Sequence, residues 1–200
     1  MNVMYAVTAR SFNLCIVALI LMAFGSASAG RADEKATAKM PAVGDKVPDF
    51  TLQDLAGHPQ TLSKLTADSP TVLVVLRGFP GYQCPLCTIQ VGGLIARAKE
   101  FQKANAKVIL VYPGPADQLT ERAKEFVKGK ALPENFIFVT DPDYKFTEAY
   151  GLRWDAARET AFPSTFVIDQ KGIVQFAKVS KSHGDRSKPE DILQALEAKK

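Results

Sequence analysis

Cys84 and Cys87 stand two residues apart in the stretch Arg77-Gly78-Phe79-Pro80-Gly81-Tyr82-Gln83-Cys84-Pro85-Leu86-Cys87-Thr88. A Cys-x-x-Cys pair of this spacing can close a short disulfide loop and open it again by thiolate exchange. Position decides whether such a pair is reactive. The run Thr71-Val72-Leu73-Val74-Val75-Leu76 is continuously apolar apart from its first residue, the pattern of a strand covered on both faces, and a helix should follow it directly. Pro85 suits the first helical position, because its missing N–H costs nothing there and its φ is already helical. Cys84 then falls at the N-cap and Cys87 in the first turn, where unpaired backbone N–H groups and the positive end of the helix dipole favour a thiolate.

Redox cycling is the first reading of the pair, and three others compete with it. Structural zinc needs four ligands, and beyond the two cysteines only His58 and His183 are on offer, far apart and at no zinc-ligand spacing. A static disulfide across two residues would constrain little of the unfolded chain. Copper(I) suits two thiolates, with His183 as a third ligand, which would make the protein a copper chaperone.

The first 29 residues differ from the rest. Arg10 is their only charged side chain, Leu14 to Phe24 is an unbroken apolar run too short to span a bilayer, and Ala27-Ser28-Ala29 has the small-x-small pattern of a secretory cleavage site. Residues 1–29 therefore read as a signal peptide, 30–42 as a flexible leader, and 43–200 as one folded domain. Removal of residues 1–29 takes away Cys15 and leaves Cys84 and Cys87 as the only cysteines, in a secreted or periplasmic compartment that permits disulfides. It also leaves 24 basic against 21 acidic side chains, spread along the chain, with Lys178, Lys181, Arg186 and Lys188 the densest group. Nothing there favours nucleic acid, or stable membrane insertion after cleavage.

The elements that must position the cysteines follow from periodicity. Pro48–Leu55 and Thr61–Leu65 form a hairpin about the turn at Ala56–Pro59, where His58 reads as a solvated loop residue. The helix from Pro85 runs to about Asn105 through Leu94, Ala98 and Phe101. Gly92-Gly93 inside it costs roughly 1 kcal/mol per glycine relative to alanine, which suggests close backbone packing there. Lys107–Tyr112 and Phe136–Thr140 are buried strands, separated by a helix carrying Leu119, Ala123 and Phe126. Asp141-Pro142-Asp143 opens a short helix ending at Gly151. Ser164–Asp169 and Ile173–Lys178 form a second hairpin, and Ser187-x-x-Glu190 starts a last helix bearing Ile192, Leu193 and Leu196. This order gives an α/β architecture with one mixed sheet.

With these residues in view the chain resembles the thioredoxin-fold redoxins, and within them the peroxiredoxin-like alkyl hydroperoxide reductase/thiol-specific antioxidant (AhpC/TSA) family. Val43-Gly44-Asp45-Lys46-Val47-Pro48-Asp49-Phe50-Thr51-Leu52 is similar to the family's opening, Asp141-Pro142-Asp143 with Ala149-Tyr150-Gly151 to its middle, and Thr165–Asp169 with Gly172 to its hairpin. The resemblance implies a thioredoxin-like fold, a mixed β-sheet flanked by helices with a peroxiredoxin-like N-terminal hairpin. It departs at two places. The family has a proline, a threonine four residues on and the peroxide-attacking cysteine three further; here Pro80 and Cys87 hold the outer places and Cys84 stands at the threonine. The family's peroxide-activating arginine would fall on Pro163, and Pro163-Ser164-Thr165-Phe166 is similar instead to the cis-proline stretch of thioredoxins and periplasmic disulfide reductases. Arg77, Arg153, Arg158 and Arg186 are the candidates to replace that arginine. The expected activity is thiol-disulfide oxidoreduction, with thiol peroxidase as the enzymatic alternative. Cys84, expected to be exposed and of low pKa, is the attacking sulfur and Cys87 resolves, although the family alignment would reverse the two for peroxide. Pro163 and Tyr82 are the candidate substrate contacts. Expected partners are protein thiols or disulfides, possible hydroperoxides, and a redox partner protein; a dithiol requires no cofactor.

Overall fold

The computed structural model describes residues 38–198. The apolar run and cleavage site of residues 1–29 lie outside them. Seven strands, β1 (Thr51–Asp54), β2 (Pro59–Thr61), β3 (Thr71–Val75), β4 (Lys107–Gly114), β5 (Phe136–Pro142), β6 (Ser164–Ile168) and β7 (Val174–Val179), form one sheet in the order β2-β1-β5-β4-β3-β6-β7. β3, β4 and β5 are parallel, and β1 and β6 join their two sides antiparallel, so the sheet is mixed as the α/β pattern implies.

Every residue of β3 is buried because side chains of alternate residues enter two different cores. Val72, Val74 and Leu76 meet Val108, Leu110 and Tyr112 of β4 under Val91 and Leu94 of α2 (Pro85–Ala96), Phe101 of α3 (Ala98–Lys103), Phe126 of α4 (Leu119–Val127) and Ile192 of α6 (Pro189–Glu197). Leu73 and Val75 face the other way, onto Ile109, Val111 and Phe166, with Leu62 of α1 (Leu62–Thr66) and Phe146 of α5 (Lys145–Ala149). Asp141, at the end of β5, accepts hydrogen bonds from the Phe146 and Thr147 amides at 2.8 and 3.0 Å and so satisfies the first turn of α5.

Five expectations are corrected. The return strand of the first hairpin stops at Thr61, and Leu62–Thr66 is helical, which turns Leu62 into the core. The long helix after the cysteines breaks at Arg97, whose φ of −104° and ψ of 14° end α2 and start α3. Gly92-Gly93 has no tight neighbour: a Cβ at Gly92 would meet nothing within 4 Å, and one at Gly93 only Pro189 at 3.7 Å. The last helix starts one residue later than its motif, with the Asp191 carboxylate accepting from the Lys188 N–H at 3.1 Å while Ser187 donates to Thr165 instead. The ordered body also begins before Val43, since the Ala38 carbonyl oxygen would be 2.9 Å from a Cβ on Gly151.

Candidate active site

The cysteine loop leaves the carboxyl end of β3 and is held to β4 by backbone bonds. Leu76 N–H donates to Val111 at 2.9 Å and Phe79 N–H to Pro113 at 3.0 Å. Cys84 is the N-cap of α2 with Pro85 directly after it, and Thr88 N–H makes the first helical bond to the Cys84 carbonyl at 3.2 Å. Cys87 lies in the first turn. Both cysteines are unlinked thiols and both are buried, Cys84 at 3% and Cys87 at 0% exposure. The expectation of an exposed Cys84 is therefore corrected. The N-cap position does not by itself carry a side chain into solvent when neighbouring loops fold over it.

The two sulfurs divide the chemistry between them. Hydrogen bonding from the Cys87 thiol, and then the Cys87 backbone N–H and the charges of Arg186 and Arg77, pull the Cys84 thiol down to about 5 against the opposing effect of burial. The same interaction with Cys84, followed by burial, pushes Cys87 well above the usual thiol range. Cys84 is thus favoured as the thiolate and Cys87 as the thiol.

Arg186 is the arginine that touches sulfur. Its Nη2 lies 3.8 Å from Cys84 Sγ, its Nη1 donates to Gln90 Oε1 at 2.6 Å, and its Nε donates to the His183 carbonyl at 2.8 Å. Arg77 is buried beside the pair. Its Nε donates to Glu159 at 2.7 Å, its Nη2 to the Arg158 carbonyl at 2.6 Å, and its Nη1 to the Tyr82 phenol. Of the other two candidates, Arg153 spends its guanidinium on the carbonyls of Trp154, Glu159 and Thr160 and on the face of Tyr144, and Arg158 contributes only its backbone carbonyl.

Tyr82 is 45% exposed, so its ring borders the cysteine loop while its oxygen fixes Arg77. Leu86 and Ile89 are exposed on the same stretch, and no residue from Pro85 to Ala96 is charged. Pro163 is buried directly before β6. The pairing of Val75 with Ser164 places it level with Leu76, at the end of β3 where the cysteine loop begins, and its carbonyl accepts from Ser180 N–H at 2.8 Å. Gln83, which the sequence did not single out, accepts from the buried Tyr112 hydroxyl at 2.7 Å and donates to the Arg122 carbonyl at 2.9 Å, fixing the residue before Cys84. Among the described residues no three His, Cys, Asp or Glu side chains converge on one point, and His183 is paired with Glu159 at 2.9 Å. His58 is exposed and lies 3.4 Å from Asp54.

A family model described as the AhpC/TSA family matches residues 43–177. The chain is 31% identical over 132 residues to peroxiredoxin Q, chloroplastic, of Sedum lineare, a match that covers 66% of each protein. It is also 31% identical over 133 residues to peroxiredoxin Q, chloroplastic, of Oryza sativa subsp. japonica, covering 66% of this chain and 57% of that one. The chain thus spans less than two thirds of the length of either plant protein. Among solved structures, peroxidoxin BcpB from Mycobacterium tuberculosis superposes with a TM-score of 0.63 at 25% identity, over 80% of this chain and 99% of that chain.

Proposed function

This chain belongs to the AhpC/TSA family, a peroxiredoxin-like redoxin of thioredoxin-like fold, and from that premise we propose that it is a thiol-disulfide oxidoreductase cycling Cys84 and Cys87. The observation that carries the proposal is the placement of the pair: Cys84 caps α2 with the Arg186 guanidinium 3.8 Å from its sulfur and Cys87 is fully buried one turn behind it, so hydrogen bonding between the two thiols, and then Arg186 and Arg77, lowers the Cys84 thiol while Cys87 is raised. The Cys84 thiolate attacks one sulfur of a substrate disulfide, forms a mixed disulfide and expels the other sulfur as a thiolate. Cys87 then gives up its proton, attacks Cys84 Sγ and releases the remaining substrate thiol. The substrate gains two electrons, one proton from Cys87 and one from solvent taken up by the expelled thiolate, and the Cys84–Cys87 disulfide formed is reduced by a partner dithiol. Tyr82 and the backbone beside Pro163 are the proposed contacts for the substrate chain.

A second reading has an observation in its favour. The Arg186 guanidinium at the sulfur could also stabilise the oxygen leaving a hydroperoxide, and the relatives named above are peroxiredoxins. Cys87, at the place of the family's peroxide-attacking cysteine, would then take one peroxide oxygen as a sulfenic acid, releasing water or an alcohol, and Cys84 would condense with it and release water. The threonine-type hydroxyl is missing, and loss of one such donor slows chemistry roughly a hundredfold or more. Reduced protein mixed in parallel with hydrogen peroxide and with a protein disulfide should oxidise faster with the disulfide, by about tenfold or more in second-order rate. A faster reaction with peroxide would replace the first reading by the second.

The address is proposed as secreted or periplasmic, on the strength of the apolar run and Ala27-Ser28-Ala29. Intact-mass measurement of the native protein should give a chain starting at Gly30; a chain retaining Met1 would rule this out.

A further inference from the structure

Two arginines act on Cys84, and both sit in segments without regular structure: Arg77 just after β3, and Arg186 in the stretch between β7 and α6. Flexible placement would blunt them, because a guanidinium free to swing into water spends little time at the sulfur. One carboxylate ties the two segments together. Glu159 Oε2 accepts from Arg77 Nε at 2.7 Å, and Glu159 Oε1 pairs with His183 Nε2 at 2.9 Å. The backbone carbonyl of that same His183 accepts from Arg186 Nε at 2.8 Å. The Glu159 side chain is 11% exposed and that of Arg77 3%. Burial opposes ionisation of Glu159, yet the bonds from Arg77 and His183 hold its carboxyl below the usual range, so the clamp is charged.

We infer that Glu159 is a positioning residue that fixes Arg77 and, through His183, Arg186 around the Cys84 thiolate. Neither side-chain bond of Glu159 reaches a cysteine; it acts through the groups that do. The inference rests on Cys84 being the nucleophile. Its direction of effect separates it from the simplest alternative. If Glu159 acted only as a nearby negative charge, it would oppose the thiolate, and its removal would make Cys84 more reactive. As a clamp, its removal releases the cations and makes Cys84 less reactive.

The test is alkylation of the reduced, full-length protein with iodoacetamide over a pH series, with peptide mass mapping of the labelled cysteine. Glu159→Ala should slow labelling of Cys84 about tenfold at pH 6 while leaving the alkaline plateau near that of the wild type, because it lowers the fraction of thiolate and not access to it. Glu159→Gln keeps an acceptor for Arg77 Nε and offers a donor to His183 Nε2, and should retain the wild-type profile to within about twofold. Should Glu159→Ala fail to fold by circular dichroism, His183→Ala frees only the Arg186 arm and is expected to move the profile in the same direction by a smaller factor. Unchanged or faster labelling of Cys84 at pH 6 in the folded alanine variant would overturn the inference alone. Labelling of Cys87 in the wild type would overturn the nucleophile assignment and this inference with it.

Discussion

Cys87→Ser is expected to stop the reaction half-way, with substrate held on Cys84 as a mixed disulfide, whereas Cys84→Ser is expected to yield a protein that scarcely reacts. The asymmetry follows from ionisation. With its thiol held near 5, Cys84 is almost wholly thiolate at pH 7, while Cys87 lies well above the usual thiol range and is fully buried. Ionisation alone then separates the two sulfurs by about a hundredfold or more at neutral pH, before access is counted. Part of the upward push on Cys87 comes from Cys84 and is lost in Cys84→Ser, but burial remains. The serine in Cys87→Ser still offers a hydroxyl toward Cys84, so the low thiol value there should largely survive. The pH profile has a definite sign. Protonation removes the nucleophile, so adduct formation in Cys87→Ser should be flat above about pH 6, half-maximal near pH 5, and fall about tenfold per unit below that. Mass spectrometry after disulfide and peroxide challenges reads all of this. Rapid sulfinic acid formation on Cys87 in Cys84→Ser, with no adduct on Cys84 in the partner variant, would show that Cys87 and not Cys84 is the attacking sulfur.

The framework of this site was legible in the sequence because local rules determine it. The apolar run at Thr71–Leu76 makes a strand buried on both faces, and Pro85 sets the start of α2 within one residue. What surrounds the sulfurs was legible only as a set of candidates. Arg77, Arg153, Arg158 and Arg186 carry the same charge, and no periodicity says which guanidinium arrives; Arg186 lies 102 residues from Cys84 in a stretch with no repeat to read. Glu159 and His183 were invisible as a pair for the same reason, with one on the approach to β6 and the other beyond β7. The misreadings share a cause as well. Thr61–Leu65 has the composition of a strand, but burial of Leu62 under the sheet favours a helical turn, and tertiary burial outweighs propensity over so few residues. Cys84 was expected at the surface because a helix N-cap usually is; here it is buried and Arg186, from the loop before α6, reaches its sulfur, a long-range contact that cap rules do not contain.

Gly78→Ala is expected to unfold the cysteine loop although no side chain of the site is altered. Gly78 has φ of +73°, and a Cβ there would lie 1.9 Å from the Pro113 carbonyl oxygen and 2.8 Å from its carbon. That carbonyl is the one that accepts the Phe79 N–H, so the oxygen cannot retreat without breaking the bond that hangs the loop on β4. Left-handed strain contributes about 1–2 kcal/mol and the collision about 1–3 kcal/mol, for a loss of about 2–5 kcal/mol in all. Gly81 supplies the control within the same loop. Its φ is +102°, but a Cβ there would meet nothing within 4 Å, so Gly81→Ala should suffer backbone strain alone, about 1–3 kcal/mol. Urea unfolding of reduced wild type and both variants measures the difference, and a Gly78→Ala loss no larger than that of Gly81→Ala would show that β4 does not hold the loop in this way. The functional consequence is specific, because Arg77 directly precedes Gly78 and its backbone amide helps to set the Cys87 thiol. Displacing the loop moves Arg77 away from Glu159, Tyr82 and the sulfurs together, so Cys84 should lose its low thiol value even under conditions where the rest of the sheet stays folded.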